Sequence, residues 1–345
     1  MNVELDVPLA PRTTLGVGGP AARLTTVTTT DELRAAIAEA ERTSQHVLVL
    51  GGGSNLVVSD AGWPGLVIQI ALSGVSYADD GEHVRVTARA GVCWDALVAE
   101  IVEARLVGIE CLAGIPGLVG ATPIQNVGAY GQEVADTLVS VRALDRDTGE
   151  LVTIDRDACR FAYRTSMFKG SQRWVVVEVE FRLARGSSSA PVRYAELARA
   201  LGIAEGERAP IAEVRGTILE LRRGKGMVLD PNDPESRSAG SFFVNPVVDA
   251  TLLAAVRARL APGVVMPAFP QRDGTTKLSA GWLIENAGFS KGFTVGRVGI
   301  SRKHALALVN RGGATASELL GLARTVMAGV DERWGIQLVP EPVIV

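Results

Sequence analysis

AGIPGLVGATPIQNVGAYGQE, from Ala113 to Glu133, is the stretch whose reading decides the fold of this chain. Glycines at 114, 117, 120, 128 and 131 are interleaved with prolines at 116 and 123. Glycine serves where the backbone takes a positive φ or lets a ligand come close. Proline fixes φ and removes a donor. Neither a plain helix nor a plain strand tolerates that mixture. The stretch reads as a long, rigid, shaped loop around Gln125, Asn126 and Tyr130, and long ordered loops in compact domains usually carry function. An elaborate structural crossover is the competing reading.

A second glycine-rich segment, GGGSN (Gly51–Asn55), follows the short apolar run HVLVL. Consecutive glycines let main-chain N–H groups converge on one point, and Ser54 and Asn55 add hydrogen-bonding side chains. That suits an anion such as a pyrophosphate; a glycine turn between strands is the alternative. Leu56 stands where a GxGxxG motif needs its last glycine, and a strand rather than a helix is expected next, so the dinucleotide-binding βαβ fingerprint fails. No GK[ST] is present either. Two such loops in one half of the chain suggest one extended dinucleotide held at two places. The loops alone leave flavin and nicotinamide both open.

The surrounding pattern predicts helices over 31–42, with Thr29 and Glu32 at capping-box spacing, and over 94–105, 194–201, 211–223, 249–260, 279–287 and 314–334. Strands are predicted over 46–50, 65–70, 83–90, 138–144, 151–154, 174–183, 298–300 and 305–310, with DRDTGE as a hairpin turn. Strands and helices mix without strict alternation, so the expected class is α+β. The Gly-, Pro-, Asp- and Ser-rich run from Gly224 to Gly240 marks a boundary.

With 345 residues, 47% hydrophobic and 21% charged, the chain can bury a large core without disulfides or metals. A net charge of −3 with no basic block argues against nucleic acid. Cys93, Cys111 and Cys159 are scattered and odd in number, which fits a reducing compartment and gives no metal pattern. The acidic start lacks a signal peptide's basic and apolar regions, and no apolar run approaches membrane-spanning length. A cytoplasmic location is expected, with neither metal nor membrane.

Three further motifs carry candidate chemistry. In FAYRTSMFK (161–169), Arg164 beside Tyr163 can clamp a carboxylate and stabilise developing negative charge, or form a surface ion pair. In AGSFFVNP (239–246), Ser241 stands in an apolar loop without a nucleophile elbow or a triad-like histidine; it is a proton donor or a cap. In VPEPVIV (339–345), Glu341 lies between prolines in an otherwise uncharged tail, where a carboxylate is either partnered or functional.

Together these segments closely resemble the UDP-N-acetylenolpyruvoylglucosamine reductases, from TTLGVGG (Thr13–Gly19) to PEPV (Pro340–Val343). The resemblance implies a two-lobed α+β FAD-binding domain of the vanillyl-alcohol-oxidase (PCMH) type, residues 1–72 and 73–226. A C-terminal α+β substrate domain, 227–345, follows, its tail returning toward the flavin. It implies reduction of an enolpyruvyl UDP-sugar by NADPH through FAD, in a monomer making peptidoglycan precursor. Contacts to FAD are implied for Gly51, Gly52, Gly53, Ser54 and Asn55, and for Ile115, Pro116, Gly117, Gly120, Ala121, Ile124, Gln125, Asn126, Gly128, Ala129 and Tyr130. Neither loop holds a cysteine or histidine, so the flavin is expected to be non-covalent.

Arg164 and Glu341 are implied to stabilise the intermediate, with Glu341 protonated or sharing a proton, and Ser241 to protonate it. Tyr163, Tyr194, Asn245 and His304 are implied substrate contacts. Tyr194 in VRYAEL matches the longer class of the family, in which that tyrosine closes over the diphosphate. Three positions depart from the family pattern: Val244 replaces a usual lysine, Phe269 replaces a pocket tyrosine, and Lys225 is displaced from the usual diphosphate-binding lysine. The alternative function is another FAD enzyme on the same fold, an alcohol or sugar oxidase.

Overall fold

The computed structural model describes residues 2–271 and 273–345. The chain forms two compact units. One comprises the residues up to Val7, Ala21–Gly53 and Trp63–Gly224; the other comprises Pro8–Pro20, Ser54–Gly62 and Lys225–Val345.

The first unit contains two sheets. In the smaller, strands run in the order Glu4–Pro8, Pro20–Val27, Trp63–Ile70, Val47–Leu50, and Trp63–Ile70 is parallel to both of its neighbours. Helix α1, Thr30–Arg42, starts at the expected capping box: Thr29 Oγ1 accepts from the Glu32 N–H, and Glu32 returns a carboxylate to the Thr29 N–H. Its apolar stripe, Leu33, Ala36, Ile37 and Ala40, joins Leu66, Ile68 and Ile70 in one core. The larger sheet is antiparallel, in the order Leu151–Asp155, Leu138–Asp145, Trp174–Arg185, His83–Arg89, Val75–Asp80. The expected hairpin at 138–155 is present. Val75–Asp80 was missed because it is exposed along nearly its whole length and shows no alternation. Helices α2, Trp94–Glu103, α3, Ala195–Leu201, and α4, Ile211–Gly224, complete the unit.

The second unit has its own core, built on Phe242, Phe243, Leu283, Ile300, Leu308, Leu319 and Trp334, together with Leu15, Val17 and Val57 from the early segments. Its helices are α5, Ala250–Ala258, α6, Ala280–Glu285, and α7, Ala316–Trp334. One antiparallel sheet pairs Thr276–Leu278 with Val247–Val248 and Ala268–Pro270; another pairs Val298–Ile300 with Thr294–Val295 and Leu308–Asn310. The predicted strand 305–310 begins only at Leu308, because residues 301–307 close on themselves through Ser301 N–H to Ala307 O.

Two side chains tie the early segments to this unit. Asn310 is buried and fully bonded: its Nδ2 donates to the carbonyls of Leu15 and Gly16, and its Oδ1 accepts from Gly312 and Ala314. Asp60 caps α7 from 256 residues away, accepting from the N–H groups of Ala316 (2.7 Å) and Ser317 (2.9 Å) and from the Ser317 hydroxyl. Thr315 Oγ1 takes the Glu318 N–H, so the orphan donors of the first turn are satisfied. Partial burial raises the Asp60 pKa, but the Ser317 and Ala316 bonds outweigh it and hold the carboxyl below its ordinary value. Asp60→Ala is expected to lower unfolding free energy by about 0.5–2 kcal/mol, as lost helix caps do. Because the folded pKa is depressed, the wild-type advantage should be complete above about pH 4 and fade as pH falls further. Urea titrations of both proteins at neutral and acidic pH check this; a difference that persists undiminished at low pH would contradict it.

Candidate active site

Within the first unit the two glycine loops lie against each other. A Cβ on Gly52 would stand 2.9 Å from the Cα of Gly117, and one on Gly51 would meet only Leu118 Cδ1, at 3.8 Å. Where Gly52 meets Gly117 neither wall carries a side chain, so main chain lines that approach. The 113–133 loop is zipped onto residues 90–94 by four bonds or bridges: Trp94 N–H to Gly117 O, Val119 N–H to Val92 O, Gly120 N–H to Ala90 O, and the Cys93–Leu118 bridge. Gly120 is required because a Cβ would come within 2.5 Å of the Ala90 Cβ. The loop ends in a two-residue hairpin, Gly128–Ala129 against Gln132–Glu133, with Tyr130 and Gly131 both at positive φ as a type I′ turn demands.

Asn126 is bonded inside the loop. Its side chain is buried and directed into the loop itself: Nδ2 donates to Glu133 Oε2 (2.7 Å) and Ala162 O (3.3 Å), and Oδ1 accepts from Ala135 (3.1 Å). These three bonds brace the loop from within. Tyr163 and Arg164 sit at the tip of a tight turn closed by mutual Ala162–Thr165 backbone bonds. Arg164 Nη2 donates to Gly128 O at 2.7 Å, and its guanidinium lies 5.4 Å from the centre of the Tyr163 ring. Ser166 Oγ donates to Ile124 O, so this turn and the cofactor loop are one hydrogen-bonded body. Asn126, Tyr130 and Arg164 have φ of 47°, 49° and 54°. Non-glycine residues rarely hold such angles, and those that do gather at functional sites.

Tyr194, the residue preceding α3, packs edge-on against Tyr130 with ring centres 5.2 Å apart and remains 43% exposed. Burial pushes the Tyr130 phenol up to about 12, with the charge of Arg222 opposing it. Burial pulls Arg222 down to about 10, which leaves it cationic at neutral pH. Arg222 escaped the sequence reading, although a signal existed: it continues the Ile211–Val214–Ile218 stripe, so an arginine stands on the apolar face of α4. Cys93 also lies beside the loop, although it is outside both glycine segments in sequence, and its thiol is exposed.

In the second unit the tail binds back on itself. Val343–Ile344 pairs in parallel with Leu56–Val57, directly after Asn55. Val343 N–H donates to Asn55 O (2.9 Å), and Asn55 Nδ2 donates to Glu341 O (3.3 Å). On its other side the tail pairs with the serine motif: Val244 N–H to Val339 O, and Glu341 N–H to Phe242 O at 2.9 Å. Ser241 and Glu341, 100 positions apart, are thus anchored through one main-chain bond. Ser241 is preceded by Gly240 at φ 70° and followed by two fully buried phenylalanines whose rings pack edge to face. Phe242 N–H donates to Leu306 O, which brings in the loop of His304. His304 Nδ1 accepts from the Leu306 N–H (3.0 Å), so its Nε2 is the protonated nitrogen. Asn245 Oδ1 caps α6 through the Ala280 N–H, leaving its Nδ2 for other partners. Among the described residues, no group of three His, Cys, Asp or Glu could hold a metal ion, and no helix is long and apolar enough to cross a membrane.

These arrangements match known proteins. Residues 232–345 match the model of the UDP-N-acetylenolpyruvoylglucosamine reductase C-terminal domain, and residues 21–155 match that of an FAD binding domain. A reductase of that name from Thermobifida fusca is 55% identical over 99% of this chain and 97% of its own. The chain belongs to the UDP-N-acetylenolpyruvoylglucosamine reductases. Its Streptomyces avermitilis relative is 54% identical over 99% of this chain and 94% of its own. A crystal structure of the reductase from Thermus caldophilus aligns over 99% of this chain and 98% of that one, with TM-score 0.67 and 30% identity. The expected α+β class, with an FAD-binding domain followed by the family's C-terminal domain, holds. This is a flavin-dependent oxidoreductase.

The side-chain-free contact between the glycine loops fits a bound pyrophosphate and gives a direct test. Gly52→Ala forces a methyl onto the Gly117 backbone, an overpacking cost of about 1–3 kcal/mol. We expect FAD affinity to fall by about 5- to 150-fold, with far-UV circular dichroism unchanged. Full flavin retention in Gly52→Ala would contradict the close approach of the two loops.

Proposed function

We propose that this chain reduces UDP-N-acetylglucosamine enolpyruvate to UDP-N-acetylmuramate at the expense of NADPH, with FAD held non-covalently. The observation that carries the reading is the Phe242–Glu341 main-chain bond, which joins the Ser241 motif to the C-terminal carboxylate. In this reading residues 1–72 and 73–226 serve FAD and residues 227–345 serve the substrate. FAD, when bound, supplies the hydride relay between NADPH and the vinyl carbon of the substrate.

The residues then divide the work by their chemistry. Addition of hydride to the vinyl carbon places negative charge on the carbon beside the carboxylate. That charge needs stabilising, and the carbon needs a proton. Arg164, held by Gly128 O, offers a permanent cation suited to a carboxylate. Glu341 in its protonated form offers a hydrogen bond without adding like charge. Ser241 Oγ donates the proton to the carbon. Tyr163, Asn245 and His304 orient the sugar nucleotide, His304 through its Nε2–H. Tyr194, half exposed beside Tyr130, closes over the diphosphate, with Lys225 as its cationic partner. An oxidase of alcohols or sugars would need none of the Ser241–Glu341 pairing.

Three measurements test this reading. The purified protein is expected to be yellow, to bleach anaerobically with NADPH, and to recover its colour on addition of the enolpyruvyl sugar nucleotide. Recovery only with oxygen would favour the oxidase. Ser241→Ala should leave bleaching by NADPH near normal and slow recovery by about 10²–10⁴-fold, the loss expected for a removed general acid. Equal slowing of both steps would sink the proton-donor role. Acid precipitation should release all of the flavin to the supernatant; colour retained on the protein would show a covalent link, with the exposed Cys93 beside the loop as a candidate thiol.

A further inference from the structure

We propose that Glu235 is a positioning residue for the substrate step, holding the 301–306 loop so that His304 and Ser241 keep their settings. This rests on the reaction proposed above. Glu235 comes from the Gly-, Pro-, Asp- and Ser-rich run that marks the expected boundary, yet it is 5% exposed. Its Oε1 accepts from Arg311 Nη1 at 2.6 Å, and its Oε2 accepts from the Arg302 N–H at 2.8 Å. The Ser301 hydroxyl, itself fully buried, also bonds to this carboxylate. Burial pushes the Glu235 pKa up, but the Ser301, Arg311 and Arg302 bonds outweigh it and keep the group below its ordinary value. The carboxylate therefore stays ionised at neutral pH.

The linker is pinned around this point. Asp233 pairs with Lys303 at 2.7 Å, Asn310 N–H donates to Arg237 O, and Gly226 passes so close that a Cβ there would lie 2.9 Å from Glu235 O. Glu235 thus grips residues 301 and 302, three and two positions before His304. The loop it grips continues through the His304 Nδ1 bond to Leu306, and Leu306 O takes the N–H of Phe242, the neighbour of Ser241. Phe242 O in turn takes the Glu341 N–H. One buried carboxylate thereby stands at the root of a bonded path that reaches His304, Ser241 and Glu341. Removing its charge leaves Arg311, whose side chain is 16% exposed, without its charge partner, a state that a folded protein relieves by moving the loop.

The test uses the FAD-loaded full chain carrying Glu235→Gln, which preserves shape. Bleaching by NADPH should be unchanged. The KM for the enolpyruvyl sugar nucleotide should rise, and kcat/KM for that step should fall by about 10- to 100-fold, the scale of a small misplacement transmitted from outside the reacting atoms. Imidazole ¹⁵N shifts, assigned with His304→Gln, should show one Nε2–H tautomer for His304 in the wild type and an averaged pair in the variant. If Glu235→Gln does not fold, Ser301→Ala removes only one of the carboxylate's donors, and should move KM and the tautomer in the same direction by less. A folded variant with unchanged KM and unchanged tautomer would overturn the proposal, as would equal losses in both steps. A wild-type chain that bleaches with NADPH but is inert toward the enolpyruvyl sugar would overturn the reaction itself and this inference with it.

Discussion

The second unit depends on the return of the C-terminal tail. A short run of main-chain bonds does this: Val343 to Asn55, Val345 to Val57, Val244 to Val339 and Glu341 to Phe242. The tail lies between two segments remote in sequence and pairs with both. Backbone pairing sets register as well as proximity. Register is what a carboxylate and a hydroxyl need if they are to act on neighbouring atoms. The prolines at 340 and 342 suit this role, since each removes a donor while Glu341 and Val343 between and beyond them keep theirs. The only charge in VPEPVIV thus sits where its backbone is fully committed and its side chain is half buried.

The first unit uses a different device. There the cofactor loop is braced by side-chain bonds from within the unit. Asn126 bonds to Glu133, Ala135 and Ala162, and the turn bearing Tyr163 and Arg164 is tied to Ile124 and Gly128. A loop so cross-braced can hold Tyr130 and Arg164 at positive φ, angles an unsupported chain would relax. Arg164 is therefore placed by the same loop that approaches Gly52, so the cofactor loop and the candidate carboxylate clamp share one rigid support.

Much of this was legible in the sequence. The Thr29–Glu32 capping box, the 138–155 hairpin and the two glycine loops were readable because their signals are local. So was the family, whose motifs extend along the chain. Side-chain direction and long-range partners were not. Nothing local in the sequence shows that the Asn126 side chain bonds to Glu133, Ala135 and Ala162. Nothing in the boundary run marks Glu235 as buried, because Arg311 lies 76 positions away and leaves no local trace. TTLGVGG reads as a motif, but its reason is Asn310, 294 or more positions on. Val75–Asp80 has no alternation to read, since nearly all of it faces solvent.

The tail's return is also the point at which the account is most exposed. Native-state amide hydrogen exchange at Glu341, Val343 and Val345 tests it most directly, since these three N–H groups make the bonds on which the placement of Glu341 rests. The expected result is protection comparable to that of Leu308 and Val309 within the core of the same unit. Exchange at nearly unprotected rates for these three, with the core still protected, would contradict the account.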